Sequence, residues 1–272
     1  MPYMVEADKI LRNKKIGLFD SGIGGFSILS ELFKVLPSAH YFYVSDEAHA
    51  PYGPKSDEFI TERAFEITKQ LISMGVGLIV VACNTATAAS IDALRVQFPD
   101  LVFVGVEPYL NAYYQIPDTL KPEEKKMMVL TTVSTGKSER FKRLKARLDP
   151  NSEIDHYGLP HLAKIVEEYY FSPTNLADLK TKIDNELKFL KNKNYVYAIL
   201  GCTHYPLVKK LIEDSLELKA ISPCAHVASR VVTLVDAEDD SFISEDFFYF
   251  LSTKNNNWSQ IKRASILGPF QG

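Results

Sequence analysis

The sequence predicts an α/β protein of two pseudo-symmetric domains, each a mostly parallel sheet flanked by helices. Three observations carry that expectation. Short, uniformly apolar runs such as Leu78 to Ala82 alternate with stretches of helical length, as strands buried on both faces and joined by crossover helices do. The run Leu78-Ile79-Val80-Val81-Ala82-Cys83-Asn84-Thr85-Ala86 has a near-copy at Tyr197-Ala198-Ile199-Leu200-Gly201-Cys202-Thr203-His204-Tyr205, so two cysteines end two similar strands. The interval from Asp20 to Cys83 also approaches that from Thr132 to Cys202, which reads as an internal structural duplication.

Taken in order, Lys15 to Asp20 is a short buried strand, and Ser21-Gly22-Ile23-Gly24-Gly25 turns the chain into a helix from Phe26 to Leu36. His40 to Ser45 is a second strand ending at Asp46. Pro51-Tyr52-Gly53-Pro54 is a rigid loop, after which Ser56 caps a helix running toward Gly75. Gly77 to Ala82 is the third strand, Thr87 to Val96 the helix after it, and Leu101 to Val106 a fourth strand closing on Glu107-Pro108. Ligands of such sheets bind beyond the carboxyl ends of the strands. Asp20, Asp46, Cys83 and Glu107 all lie there.

The charged connector Lys121 to Lys126 precedes a restart, with a strand at Met127 to Thr132 and a basic helix reaching Leu148. Beyond Ile221 come a helix around His226 to Val235, an acidic patch at Asp236 to Asp240 and the aromatic run Phe247-Phe248-Tyr249-Phe250. A polar Lys254 to Asn257 stretch then leads into a hairpin or a helical end.

Composition narrows the function. The chain has 272 residues, 46% hydrophobic, with 31 basic against 34 acidic side chains. That is enough chain for a sizeable core. There is no excess of positive charge for a nucleic-acid backbone or an anionic membrane, so a small-molecule substrate is the better expectation. Met1 to Asp8 lacks the basic and apolar regions of a secretory signal, and no run approaches the roughly 20 apolar residues of a membrane span. Three widely spaced cysteines make no disulfide framework, and they point to a reducing cytoplasm where thiols stay free. A homodimer is one assembly the sequence allows.

Three chemistries fit two thiols at one cleft. Cys202 with His204 makes a nucleophile and base but leaves the second cysteine without a task. Cys83, Cys202 and His204 make three metal ligands but lack a fourth and any CxxC spacing. Proton transfer at a carbon acid from two opposite faces uses both thiols, one as base and one as acid. The plain alternative is two small core residues.

Phe19-Asp20-Ser21-Gly22-Ile23-Gly24-Gly25, Pro51-Tyr52-Gly53, Ala82-Cys83-Asn84-Thr85, Gly105-Val106-Glu107-Pro108 and Gly201-Cys202-Thr203-His204-Tyr205-Pro206 together carry a resemblance. Over nearly its whole length the chain resembles the glutamate racemase branch of the cofactor-independent aspartate/glutamate racemases. The resemblance implies interconversion of L- and D-glutamate for peptidoglycan, without pyridoxal phosphate or metal, in a cleft between two α/β domains. It divides the chain into residues 1–108 with 222–272, and residues 109–221. By motif, Cys83 and Cys202 match the acid/base pair, with Asp20 assisting the first and His204 the second. Ser21, Asn84, Thr85 and Thr203 match positions that hold the amino and carboxylate groups, and Tyr52 and Gly53 those near the side-chain carboxylate. Glu167 matches a cleft glutamate.

Other features have bland readings. The glycine turn does not imply a nucleotide. His49 reads as a loop histidine, Cys224 as structural, Asp46 as site support or a helix cap, and Lys142, Arg143, Lys145 and Arg147 as a solvated face. One departure from the family pattern is Lys164, where a proline is usual. Another acidic amino acid, aspartate first, is the alternative substrate, and a binding or regulatory homologue is the alternative from outside enzymology.

Overall fold

The computed structural model of the chain describes residues 14–117, 119–235 and 246–270. The amino-terminal segment read for a signal and the acidic patch at Asp236 to Asp240 lie outside them.

The first half runs β1 (Lys15–Asp20), α1 (Phe26–Val35), β2 (His40–Ser45), α2 (Asp57–Ser73), β3 (Leu78–Val81), α3 (Asn84–Gln97) and β4 (Val102–Gly105). The second runs β5 (Met127–Thr132), α4 (Val133–Lys137), α5 (Glu139–Leu148), β6 (Ile154–Leu159), α6 (Leu162–Phe171), α7 (Leu176–Leu187), β7 (Tyr197–Gly201), α8 (Lys209–Leu216) and β8 (Lys219–Ile221). The chain then returns through α9 (Cys224–Val232) to β9 (Phe247–Ser252) and β10 (Asn257–Lys262).

Two sheets result. One has the order β10-β9-β2-β1-β3-β4 and the other β6-β5-β7-β8. The stretch β2-β1-β3-β4 thus matches β6-β5-β7-β8 strand for strand, which gives the duplicated pattern of the sequence a spatial meaning. Every pairing is parallel except the hairpin of β9 and β10. Parallel neighbours put all their carboxyl ends at one edge, so each half offers its functional residues from one side.

Alternation along the strands explains the layers. Leu78 and Val80 of β3 face one core, shared with Ile16, Leu18 and helices α1 and α9, while Ile79 and Val81 face another, shared with α2 and α3. The first core continues into the second sheet through Met128 and Leu130 of β5, so an apolar seam joins the halves. Each such buried aliphatic side chain contributes roughly 1.5–3 kcal/mol relative to an exposed one.

Local signals hold in most places. The Ser56 hydroxyl caps α2 by accepting the Phe59 N–H, a cap that contributes about 1 kcal/mol. Helix α3 begins at Asn84 rather than Thr87, because the Cys83 thiol itself takes the cap position and accepts the Ala86 N–H. The expected basic helix is two helices. Thr132 caps α4, and Ser138 breaks the run and caps α5. Phe247 to Ser252 joins the first sheet beside β2 and forms a hairpin with β10, which decides between the two endings the sequence left open.

Candidate active site

The carboxyl ends of the two sheets face a cavity of ≈ 640 Å³. Cys83 and Cys202 both line it and each is only 6% exposed. Ser21, Tyr52, Gly53, Asn84, Thr85, Thr203, His204 and Glu167 line it as well. Asp20 does not; it is fully buried behind the wall.

Cys83 follows β3 by two residues. Its sulfur accepts the Ala86 N–H at 3.4 Å and lies 3.9 Å from the Ser21 hydroxyl. Burial, reinforced by the charge of Asp20, pushes this thiol up to about 12. At neutral pH it therefore holds its proton.

Asp20 ends β1. Its carboxylate accepts from the Gly22 N–H at 3.1 Å, the Ser21 hydroxyl at 3.3 Å and, across the cleft, the Thr203 hydroxyl at 2.8 Å. Burial raises its pKa, while His204 and the hydrogen bonds of Thr203 and Gly22 work against the rise. The residue matched to Cys83 thus makes its long-range bond beside Cys202, and acts on Cys83 through its charge.

His204 follows Cys202 by two positions, with Nδ1 3.9 Å from the Cys202 sulfur and Nε2 2.6 Å from the Glu167 carboxylate. Burial alone would hold the imidazole neutral. The hydrogen bonds to Cys202 and Glu167, with the charge of Glu167, reverse this and raise its pKa well above 6.5. Glu167, on α6, also accepts the Ile23 N–H at 3.0 Å. One carboxylate therefore ties the second half's histidine to the first half's glycine turn.

That junction explains the glycines. A Cβ on Gly22 would overlap the Glu167 carboxylate, and one on Gly24 would overlap His204 Nδ1 and the Thr203 hydroxyl. The turn needs glycine for close approach of the other half.

The remaining polar groups are held in readiness. Asn84 donates to the Val106 carbonyl at 3.1 Å, and its Oδ1, buried, accepts nothing. The Thr85 hydroxyl lies 3.1 Å from that of Thr135 and 3.3 Å from that of Thr132. Thr132, the counterpart of Asp20 in the duplicated pattern, lines the cavity too, a site role that no motif around it announces. Its place at the end of β5, equivalent to that of Asp20 at the end of β1, was the available signal. The Tyr52 hydroxyl points away from the cavity to Asp46, at 2.6 Å, so Tyr52 and Gly53 present ring and backbone there. Lys164 stands at the rim, paired with Glu168 at 3.6 Å. His49 also meets Asp46, and Cys224 is buried between α9 and α1, 3.4 Å from the Ser27 hydroxyl.

Among the described residues no group of three or more His, Cys, Asp or Glu side chains is disposed to share a metal ion. Among them, too, no helix is long and apolar enough to cross a membrane.

Comparison with known proteins agrees with this fold. The family model described as Asp/Glu/Hydantoin racemase matches residues 27–231. A glutamate racemase of Clostridium perfringens is 34% identical over 204 residues, 75% of either chain. The crystal structure of Escherichia coli glutamate racemase in complex with L-glutamate and an activator superposes with a TM-score of 0.77 at 27% identity, covering 94% of this chain and 93% of that one. Francisella tularensis glutamate racemase in complex with D-glutamate superposes with a TM-score of 0.71 at 26% identity, covering 96% and 94%. With three-quarters of the chain inside the family's own pattern, this protein belongs to the Asp/Glu/Hydantoin racemase family.

Proposed function

We propose that this protein interconverts L- and D-glutamate by two-base proton transfer, with Cys83 and Cys202 facing Cα from opposite sides. The observation that carries the reading is that two cysteines, at equivalent ends of two matching sheets, line one cavity. The relatives add support, since one holds L-glutamate and another D-glutamate. The domain division at residues 1–108 with 222–272 against 109–221 belongs to the same reading.

In one direction Cys202, as thiolate beside the His204 imidazolium, removes the Cα proton. The C–H electrons pass into a carbanion delocalised over the α-carboxylate. The Cys83 thiol then donates its proton to the opposite face, and the centre is inverted. The two sulfurs finish with their protonation exchanged, which is the state needed for the reverse reaction. Asp20 and His204 assist their respective thiols.

Ser21, Asn84, Thr85 and Thr203 hold the amino and α-carboxylate groups. Tyr52 and Gly53 form the wall for the side-chain carboxylate, and Glu167 shapes the floor while charging His204. These dipoles are already in place when the charge develops, so they stabilise it without reorganising. No cofactor takes part. D-Glutamate made in the cytoplasm would supply peptidoglycan synthesis.

Incubating the protein with L-glutamate in D2O tests this. Optical rotation should fall to zero as deuterium enters Cα. No exchange and no loss of rotation would sink the reading, and exchange confined to aspartate would change the substrate, a difference of one methylene and about 1–3 kcal/mol of pocket discrimination.

A further inference from the structure

Behind the Tyr52 wall lies a charged cluster that the reaction scheme leaves unused. Asp46 directly follows β2 and is fully buried. A buried carboxylate costs several kcal/mol unless it is paired and hydrogen-bonded. Here four donors surround it. Arg63 of α2 forks onto both oxygens, Nε to Oδ2 at 3.1 Å and Nη2 to Oδ1 at 3.0 Å. The Tyr52 hydroxyl donates to Oδ2 at 2.6 Å, and His49 Nδ1 lies 2.9 Å from Oδ1.

Geometry ranks these partners. Arg63 is four-fifths buried and cannot lose its charge. His49 is a third exposed. Burial would raise the Asp46 carboxyl, yet Arg63 first, then Tyr52 and His49, hold it below the ordinary carboxylate value. The ionised Asp46 gives the Tyr52 hydroxyl a fixed acceptor. The Tyr52 ring, 2% exposed, packs in one core with Phe19, Val44, Ile60 and Cys83, and its backbone continues into Gly53 at the cleft.

We propose that Arg63, which does not touch the cleft, is a positioning residue for substrate binding: through Asp46 it fixes Tyr52, and with it the Tyr52–Gly53 wall against the substrate's side-chain carboxylate. This rests on the glutamate reading. Without the guanidinium the buried carboxylate has lost its permanent cation. It must then take up a proton, which weakens its bond to the Tyr52 hydroxyl, or shift, which breaks that bond.

The wall meets a part of the substrate remote from Cα, which is held alike in the ground state and the transition state. Loss of such uniform binding raises KM and leaves kcat. Arg63→Met should therefore raise KM for L-glutamate about tenfold or more, within what a displaced positioning group costs, with kcat within about threefold of the parent. Arg63→Lys, a cation without the fork, should fall between. Tyr52→Phe cuts the same chain one link later, so the double variant Arg63→Met/Tyr52→Phe should resemble the worse single variant rather than the product of the two.

A KM for Arg63→Met within about twofold of the parent overturns the proposal, as do a loss confined to kcat and fully multiplicative effects in the double variant. If Arg63→Met does not fold, Arg63→Lys decides by the same KM criterion. A parent that racemises glutamate beside variants of unchanged KM sinks the positioning role alone. A parent that neither racemises glutamate nor binds it by calorimetry sinks the glutamate reading and this proposal with it.

Discussion

Cys83 and Cys202 leave their sheets at equivalent points, one after β3 and the other after β7, third strands of two matching orders. Their surroundings differ. Cys83 opens a long helix, borders Asp20 and is pushed upward by burial and that negative charge. Cys202 lies three residues before a short 3₁₀ turn, Tyr205–Val208, and borders an imidazole held cationic by Glu167. Duplication thus preserved the place of the thiol and not its electrostatics. In a two-base scheme that asymmetry is useful, since one sulfur must hold a proton while the other lacks one.

The largest break in the comparison is removal of either sulfur. Cys83→Ser and Cys202→Ser should each lower racemisation by about 10²–10⁴-fold, the usual worth of a positioned acid or base. Each variant should keep some one-sided Cα exchange in D2O, from the face whose thiol remains. If both variants racemise glutamate at near-parent rates, the pair has no catalytic function.

A finer break targets what distinguishes Cys202. Glu167→Gln removes the anion that charges His204 while keeping the shape. The loss expected is about 10–100-fold in kcat/KM, the rate equivalent of one charge-assisted hydrogen bond at ~1.5–3 kcal/mol. The sign of the pH effect follows from the raised pKa of His204. The imidazolium persists above pH 6.5 in the parent, so activity that needs it declines only when pH rises through the higher folded-state value. Without Glu167 the pKa falls, and the alkaline limb of kcat/KM should move to lower pH. A limb that stays in place would detach His204 from the reaction. The same linkage makes the pairing a stabilising contribution, fully present below the unfolded value near 6.5 and lost as pH rises through the folded one.

How much of this was legible depended on where each residue's partners lie. The central strands β1, β3, β5 and β7 announce themselves as apolar runs because both of their faces are buried. Strand β6, with Asp155, His156 and Gly158 in its six residues, is a half-exposed edge and gives no such signal. Helices α6 and α7 were unplaced for a related reason, although α6 supplies Glu167. The cysteines and their neighbours were visible as short motifs. The bonds from Thr203 to Asp20 and from Glu167 to Ile23 were not, since they join residues more than 140 positions apart and depend on how the halves meet. Arg63 is hidden for another reason: only 17 positions from Asp46, it reads as one more charge on an amphipathic helix until the fold turns it onto that carboxylate.

The smallest expected effect concerns the join of the two halves away from the cleft. There Arg140 of α5 donates to Glu107, just past β4, at 2.6 Å and to Asp92 of α3 at 3.0 Å. At the cleft, by contrast, the halves meet through Asp20, Thr203 and His204, all buried. Arg140 and Glu107 are partly exposed and Asp92 is largely so, so water competes for them and salt screens them. Arg140→Gln should cost no more than about 1 kcal/mol in denaturant unfolding. The difference from the parent should vanish near 1 M salt, where the Debye length is about 3 Å, and kcat/KM should stay within about twofold. A larger, salt-insensitive loss would mean that the outer ion pairs, rather than the buried bonds of the cleft and the shared apolar seam, hold the two thiols at one cavity.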